Sequence, residues 1–420
     1  MLTRKEKIFL FTALLYILYT IFPLLSDIIN IPTWLPSLAS TAVMLSLYPK
    51  AFSNKTFYWF LVYAFVLLLY LLMGHPLAVG IGILADSRKI VIEYAFILPA
   101  VCMFCILYYL KDSVLLNKLF MWSIGLLFVS FIVEVPLMQQ YGSIRAAMFE
   151  NEEQIKILGL PSYTLMHAYT LFIPVMCYGT KVFKDRNRIA CLVGLVVLFV
   201  VIYYTFVTTS LIIMVAIVLF TIIYNAQNEA MSFMVSVVLL IIFLIFSNTD
   251  FLIGLINGIM PFFEGSAVEF KLNDFKDSLI QGQITGSSIT GRMDYHEISR
   301  QSFFINPIFG YPRVGGHSSL LDRLGGMGIV GALPFVMIIV SYIRQMIKLF
   351  TTRAAKLFFW TGIITGFVYL YEKGLWGSEG WLVYMVLMPM GILVFEQKNI
   401  EQNNSRGLQK QMKSNNNETA

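Results

Sequence analysis

The sequence predicts an all-α membrane protein with about 12 transmembrane helices and one large extracytoplasmic loop that contains amphipathic helices. Three observations lead to this prediction. Hydrophobic residues make up 58% of the 420 residues, charged residues only 13%, and the mean hydropathy is +0.75. A soluble protein is about half apolar and about a quarter charged. The apolar residues fall in runs of about 20, and lysine and arginine concentrate in alternate short connections, as in multi-pass proteins.

Each predicted span is an apolar run long enough to cross a bilayer. The seventh and eighth spans form one run that is too long for a single crossing, and we divide it at Thr208-Thr209-Ser210. The spans lie near residues 8–25, 31–48, 56–73, 91–110, 115–135, 162–180, 189–207, 209–225, 231–247, 326–345, 357–373 and 379–395. Residues 1–247 therefore hold nine spans, 248–325 form the large loop, 326–395 hold three spans, and 396–420 form a polar tail that we expect to be disordered.

The basic residues of the short connections orient the chain. Arg4, Lys5 and Lys7 precede the first span, Arg344 lies at the end of the tenth, and Lys348 follows it. This asymmetry places both termini in the cytoplasm. The first apolar run lacks a small-residue cleavage site, so we expect no cleavable signal. The net charge of +6 mostly reflects cations near membrane surfaces, and no nucleic-acid partner is expected.

The segment from Gly291 to Gly331 at the end of the large loop holds most of its chemistry, with four arginines and two of the four histidines. Read as a helix, its first part places four polar residues on one face: Arg292, His296, Ser299 and Arg300. A neighbouring apolar stripe is formed by Tyr295, Ile298 and Ile305. This pattern is typical of a helix that lies at a membrane surface and offers cations to one side.

The helix should end at Asn306-Pro307, because a residue before proline is pushed out of the α region. A turn from Gly310 to Gly316 follows, and His317 stands just before the next helix. Ser319 and Asp322 have the spacing of a capping box for that helix.

The arginines are the strongest candidates for function, because the planar guanidinium matches two phosphate oxygens at once. They could equally bind phospholipid headgroups or pair with Asp294, Glu297 and Asp322. Since Arg292 and Arg300 share a face, we favour a catalytic role for this pair. The candidate substrate-binding residues are Arg313, Arg323, Arg88, His296 and Ser318.

His317 is the third catalytic candidate, because a histidine can act as a base near neutral pH. The alternative is that it only caps the following helix. Glu93 lies inside the fourth span, where a carboxylate suggests function, although an ion pair with Lys89 would also explain it. Glu372 and Glu379 could orient a substrate but read better as interface residues.

Nothing in the sequence indicates a metal or cofactor. Cys102 and Cys105 have half the spacing of a zinc site, but no second pair follows and the context is apolar. No Asp/His cluster has metal-ligand spacing, and no glycine-rich loop of the nucleotide-binding type appears.

The large loop resembles that of the O-antigen ligase and polysaccharide polymerase superfamily. The resemblance covers about 40 residues and rests on these residues in order: Asn306, Pro307, Gly310, Gly315, Gly316, His317, Ser318, Gly328 and Gly331. The chain departs from the family pattern at Leu211, where an arginine often follows Thr-x-Ser, and at Tyr311-Pro312, where Gly-x-Gly is usual. These departures favour the more divergent repeat-unit polymerases.

The resemblance implies a metal-independent, inverting glycosyl transfer at the outer face of the bacterial cytoplasmic membrane. It implies that the donor is a growing glycan on undecaprenyl diphosphate and that the acceptor is a new lipid-linked repeat unit. Membrane lipids, a flippase and a chain-length regulator would be further partners. Arginines would stabilise the departing diphosphate, and His317 would orient or deprotonate the attacking hydroxyl.

Three other functions stay open. A ligase would use the same donor and a different acceptor. A flippase or exporter would need alternating access, for which the sequence offers no internal repeat. A scaffold for a synthesis complex would need no chemistry at all.

Overall fold

The computed structural model is all-helical, with 88% helix and no strand in the part of the chain that it describes. It describes residues 2–22, 25, 34–73, 87–141, 163–184, 186–204, 208–224, 249–265, 269, 272–273, 276, 288–311, 313–316, 318–372 and 377–418. The helices of the first half are α1 Arg4–Ile21, α2 Trp34–Leu47, α3 Lys55–Leu72, α4 Ser87–Leu110, α5 Ser113–Tyr141, α6 Tyr163–Thr170, α7 Ile173–Val182 and α8 Arg186–Tyr204. Those of the second half are α9 Thr208–Ile223, α10 Thr249–Ile259, α11 Ser288–Ile305, α12 Ser319–Ile347, α13 Arg353–Glu372, α14 Ser378–Leu382 and α15 Met388–Glu418. Short 3₁₀ turns at Pro49–Phe52 and Met260–Phe263 and a π-helical turn at Val383–Leu387 complete the described elements.

Six of the described helical stretches are long and apolar enough to cross a membrane, which identifies the chain as a membrane protein. They are Lys55–Leu72, Ser113–Leu137, Arg186–Tyr204, Ser319–Ile347, Arg353–Tyr371 and Ser378–Ser405. Shorter apolar helices are Trp34–Leu47, Phe96–Leu110, Ser210–Ile223 and Ile253–Phe263. The predicted ninth span, 231–247, lies outside the described residues.

The predicted sixth span is interrupted, because α6 ends at Thr170 and α7 begins at Ile173. Pro174 occupies the first turn of α7, where its missing N–H costs nothing. The predicted division between the seventh and eighth spans is not tested, because residues 205–207, between α8 and α9, lie outside the described residues.

The end of the chain differs from the prediction. The sequence predicts a disordered tail after Glu396, whereas α15 continues to Glu418. Glutamine, lysine and glutamate recur in this segment and favour helix. Glu396 itself is buried, and its carboxylate accepts hydrogen bonds from the backbone N–H groups of Thr351 and Thr352 at the start of α13.

Side-chain contacts define two ends of the helix bundle. One end, which we call the loop end, is where α3 finishes and α12 begins. There Tyr70 donates a hydrogen bond of 2.7 Å to the Met327 carbonyl. At the basic end, α3 begins and α12 finishes, and the Asn54 amide donates to Gln345 at 2.7 Å. The segment between α11 and α12 lies at the loop end.

An aromatic column joins these ends through the core. Phe335 of α12 lies 5.7 Å, ring to ring, from Trp381, and Tyr342 lies 5.8 Å from Tyr384. All four side chains are almost completely buried. The column fixes α12 against the C-terminal helices and so fixes the position of the loop end.

Candidate functional site

Helices α11 and α12 approach closely through small residues. Ser299 and Ser302 of α11 are buried, and Gly325 of α12 lies against the Ser299 backbone. A Cβ atom added to Gly325 would collide with the Ser299 carbonyl. The buried face of α11 is therefore this serine face, because only short side chains fit where two backbones come so close.

The turn that connects the two helices is held by its own backbone and by α12. Gly310 donates to the Asn306 carbonyl at 2.8 Å, and Tyr311 donates to the Gly325 carbonyl at 2.8 Å. Gly310 has φ +79°, and a side chain there would collide with the backbone of Gly326. The glycine at 310 is thus required twice, for its conformation and for the close approach.

The turn also supplies hydrogen-bond acceptors at a break in α12. Gly328 has φ +58° and ψ −164°, which interrupts the helix nine residues after its start. The two N–H groups that follow the break donate to the turn: Ile329 to the Pro307 carbonyl at 2.9 Å, and Val330 to the Ile308 carbonyl at 3.1 Å. Because buried backbone groups need partners, the turn and the broken helix form one hydrogen-bonded unit.

A second set of bonds holds the end of the turn around the carboxylate of Asp322. This buried group accepts hydrogen bonds from Ser299 Oγ at 2.6 Å, from the Gly316 N–H at 3.2 Å and from the Ser318 N–H at 3.1 Å. Ser299 Oγ in turn accepts from the Gly315 N–H at 2.9 Å. Residues on both sides of position 317 are therefore fixed by α11 and α12.

Arg323 lies directly behind this unit and is buried, with 6% of its surface exposed. Its Nε donates to the Tyr63 hydroxyl at 3.0 Å, and Nη1 donates to the carbonyl and hydroxyl oxygens of Ser319. The guanidinium carbon lies 4.0 Å from the centre of the Phe335 ring. An arginine held by a phenol, a helix turn and an aromatic face is positioned rigidly.

The other described candidates lie at the surface of the same unit. Arg300 and Arg313 are exposed, and the Arg300 guanidinium contacts the carboxylate of Glu297. His296 is half-buried beside the Tyr371 ring, at 5.3 Å between centroids, and its Nε2 has no hydrogen-bond partner among the described residues. Ser318 is buried at the start of α12.

Several candidates lie outside what the structure describes. His317 falls between described segments. For another group only the backbone is described, and its members are Arg88, Lys89 and Glu93 of α4, Arg292 of α11, and Glu372 of α13. Because α4 runs from the loop end to the basic end, Arg88 at its start belongs to the loop end.

Two details of the predicted helices are wrong. Ser299 and Arg300 do not share a face, since Ser299 is buried and Arg300 points outward, 64% exposed. The cap of α12 is Ser318, one residue earlier than predicted, and its Oγ accepts from the Leu321 N–H at 3.1 Å.

No protein-family model and no curated protein sequence matches this chain.

The sequence analysis overlooked a carboxylate buried inside the membrane-spanning part. Glu134 of α5 is 1% exposed, and its carboxylate accepts hydrogen bonds from the Tyr169 hydroxyl at 2.9 Å and from the Ser130 hydroxyl. Ser130 also contacts the Ile21 carbonyl, which places the group in the loop-end half. A carboxylate in the apolar run of α5 is itself the signal that could have found it. Tyr63, the partner of Arg323, had no such signal because tyrosines are frequent in these helices.

Proposed function

We propose that the protein polymerises lipid-linked oligosaccharide repeat units for a surface polysaccharide. The growing glycan would pass from undecaprenyl diphosphate to the next lipid-linked unit at the outer face of the bacterial cytoplasmic membrane. The proposal includes the finer topology, with twelve spans, both termini in the cytoplasm, and residues 248–325 forming the outer loop.

One observation gives the proposal its main support. The turn of residues 306–316 is hydrogen-bonded to the break in α12, and cations lie around it. Arg313 projects from this turn, Arg300 lies on the adjacent helix, and Arg323 lies behind. A rigid, hydrogen-bonded backbone that presents guanidinium groups suits the stabilisation of charge on a departing diphosphate. The departing diphosphate is stabilised most when its hydrogen-bond donors are already in place before the reaction.

The proposed reaction forms one bond and breaks one bond. The acceptor hydroxyl oxygen attacks the anomeric carbon of the donor, and the bond from that carbon to the diphosphate oxygen breaks. The diphosphate leaves with the electron pair, and the hydroxyl proton passes to a base. His317 is the base that the resemblance implies.

Exposed apolar side chains next to the turn suit substrates that carry lipid tails. Phe304, Ile305, Ile308 and Phe309 are between 49% and 70% exposed and follow one another around the end of α11. Such a group is expected to sit in the interfacial layer of a membrane. It would bring the headgroup region of a lipid-linked donor next to Arg313.

The test is deletion of the gene, followed by gel analysis of the surface glycan. We expect single repeat units on the surface. Long chains that are not attached to their usual acceptor would instead indicate a ligase, and loss of surface sugar would indicate a flippase or exporter. Either result would remove the polymerase proposal.

A matched pair of variants then tests the site. Arg313 holds the turn through its backbone, because its carbonyl accepts from Ser302 and its N–H donates to Tyr311. Arg313→Gln should therefore fold and yet make at least tenfold less polymer, as expected for loss of a charge-assisted contact. Arg353→Gln removes an exposed arginine at the basic end and should leave the polymer yield unchanged. Equal polymer yields from the two variants would exclude Arg313 from the reaction.

Cysteine labelling tests the topology. The four native cysteines are buried, so background labelling should be low. A cysteine at Ser287 should react with an impermeant reagent from outside, and one at Asn404 only from inside. Labelling of both from one side would end the twelve-span topology.

A further inference from the structure

An open pocket lies at the basic end, opposite the candidate site. It has a volume of about 590 Å³ and lies between the 3₁₀ turn after α2, the start of α3, and the end of α12. Its lining includes five cations: Lys50, Lys55, Lys111, Arg344 and Lys348. No carboxylate lines it among the described residues. Asp112, next to Lys111 in the chain, is occupied in accepting hydrogen bonds from the first turn of α5.

One wall of the pocket is built from hydrogen-bonded polar side chains. Gln345 donates to the Asn54 side-chain oxygen at 3.0 Å and to the Thr56 hydroxyl at 2.8 Å. Ser341 donates to the same Thr56 hydroxyl at 3.1 Å. These bonds fix α3 against α12, so the cations beside them surround a preformed cavity and do not simply project from a loop.

A second, apolar cavity adjoins the first. It has a volume of about 220 Å³, and residues such as Phe104, Met385 and Leu393 line it. Tyr108 and Lys111 belong to the walls of both cavities. The Lys111 ammonium lies 5.2 Å from the centre of the Tyr108 ring, at the boundary between the cationic and the apolar space.

We propose that these two cavities bind an anionic phospholipid, with its phosphate in the basic pocket and part of one acyl chain in the apolar cavity. Cations with no facing carboxylate favour a phosphate-bearing group. The apolar cavity favours a lipid over a soluble phosphate, since a free anion would leave it empty. The site lies at the opposite end of the bundle from the turn at residues 306–316 and does not depend on the proposed glycosyl transfer.

The experiment measures lipids retained by the purified protein in mild detergent, by native mass spectrometry. Dioleoyl phosphatidylglycerol and dioleoyl phosphatidylcholine are offered at equal concentration. We expect retention of phosphatidylglycerol and at least about tenfold lower affinity in an Arg344→Gln, Lys348→Gln double variant, since each basic group near a lipid surface strengthens binding.

The control is the Arg353→Gln, Lys356→Gln double variant. It removes one arginine and one lysine from α13 at the same end of the bundle, and neither lines the pocket. It should keep phosphatidylglycerol. Equal loss in both double variants would show only general attraction to charge. Equal retention of phosphatidylcholine would show no selectivity for an anionic headgroup. Either result would overturn the site.

A competition experiment separates a lipid from a soluble anion. Inorganic phosphate should displace the dioleoyl lipid poorly, because it does not fill the apolar cavity. Displacement by inorganic phosphate as effective as by the long-chain lipid would mean that the pocket takes a soluble anion, and the lipid assignment would be wrong.

Discussion

Arg323 at the loop end and Arg344 at the basic end have opposite environments. At the loop end, Arg323 is buried and every described contact of its guanidinium fixes its position, through Tyr63, Ser319 and Phe335. At the basic end, Arg344 is exposed and lines an open pocket. The difference teaches that burial, and not charge alone, decides whether a cation shapes the protein or remains available to a ligand.

The same contrast appears in the backbone. At the loop end, Gly310, Gly316 and Gly328 have positive φ values, so the conformation is adopted by residues that pay no steric cost. At the basic end, Lys111 has φ +49°. Among the described residues, it is the one non-glycine residue with a positive φ. A lysine where glycine would fit more easily suggests that its side chain is needed, and this side chain lies at the boundary of the two cavities.

The break in α12 should be the most sensitive point of the loop end. In Gly328→Ala, the Cβ would collide with the Ile308 carbonyl and the residue would be forced into a conformation that L side chains rarely adopt. We expect a loss of at least about 4 kcal/mol in unfolding free energy, or no folded protein. Thermal unfolding in detergent measures this.

The matched variant is Gly125→Ala in α5, where an added Cβ meets nothing within 4 Å. It should be neutral or stabilising by up to about 1 kcal/mol. A Gly328→Ala protein as stable as the wild type would mean that α12 has no fixed break.

Alanine substitutions at Arg323 and at Arg344 test this comparison directly. Arg323→Ala leaves a cavity and removes the hydrogen bonds to Tyr63 and Ser319, so we expect destabilisation by about 2–3 kcal/mol. Arg344→Ala should change stability by less than about 0.5 kcal/mol, as surface substitutions usually do. Chemical unfolding of both variants in the same detergent gives the difference. Equal stability losses would contradict the distinction between the two ends.

Several of the helices were predictable from the length of the apolar runs. The runs at 56–73 and 115–135 agree with α3 and α5. Hydropathy reports apolar residues and says little about helix continuity. The interruption between α6 and α7 was therefore missed, although Pro174 marks it.

The candidate site was predictable in place but not in geometry. The turn after Asn306 and its glycines were visible in the sequence. Which of several nearby glycines breaks α12 was not, because the choice of Gly328 depends on the carbonyls of Pro307 and Ile308 that receive the freed N–H groups. Helical projection likewise could not show that the serine face of α11, and not the arginine side, turns inward. That choice depends on the glycine at 325 in the partner helix.

Substitution of Asp322 should have a smaller effect on stability. Amide hydrogen exchange can then distinguish loss of order in the turn from loss of overall stability. Asp322→Asn replaces one carboxylate oxygen by an NH₂ group, which cannot accept the bond that Ser318 or Gly316 now donates. We expect a loss of about 1–2 kcal/mol and faster amide hydrogen exchange at residues 315–318. Asp112→Asn, in an exposed cap at the basic end, should leave that exchange unchanged. No change in exchange in Asp322→Asn would mean that this carboxylate does not hold the turn.

The smallest expected effect is a gain at the basic end. Lys111→Gly removes the steric cost of positive φ, which is about 1–2 kcal/mol for an L residue, but gives the unfolded chain more freedom. The net result should be stabilisation by about 0.5–1 kcal/mol, measured by chemical unfolding. Lys348→Gln also removes one pocket lysine, but from the C-cap of α12, where φ is −71°, so it should show no gain. Both variants should retain less phosphatidylglycerol, because both remove a cation from the pocket. A Lys111→Gly protein that is more stable and binds the lipid fully would show that the lysine side chain is not needed for lipid binding. The contrast between Lys111 and the loop-end glycines would then concern backbone geometry alone.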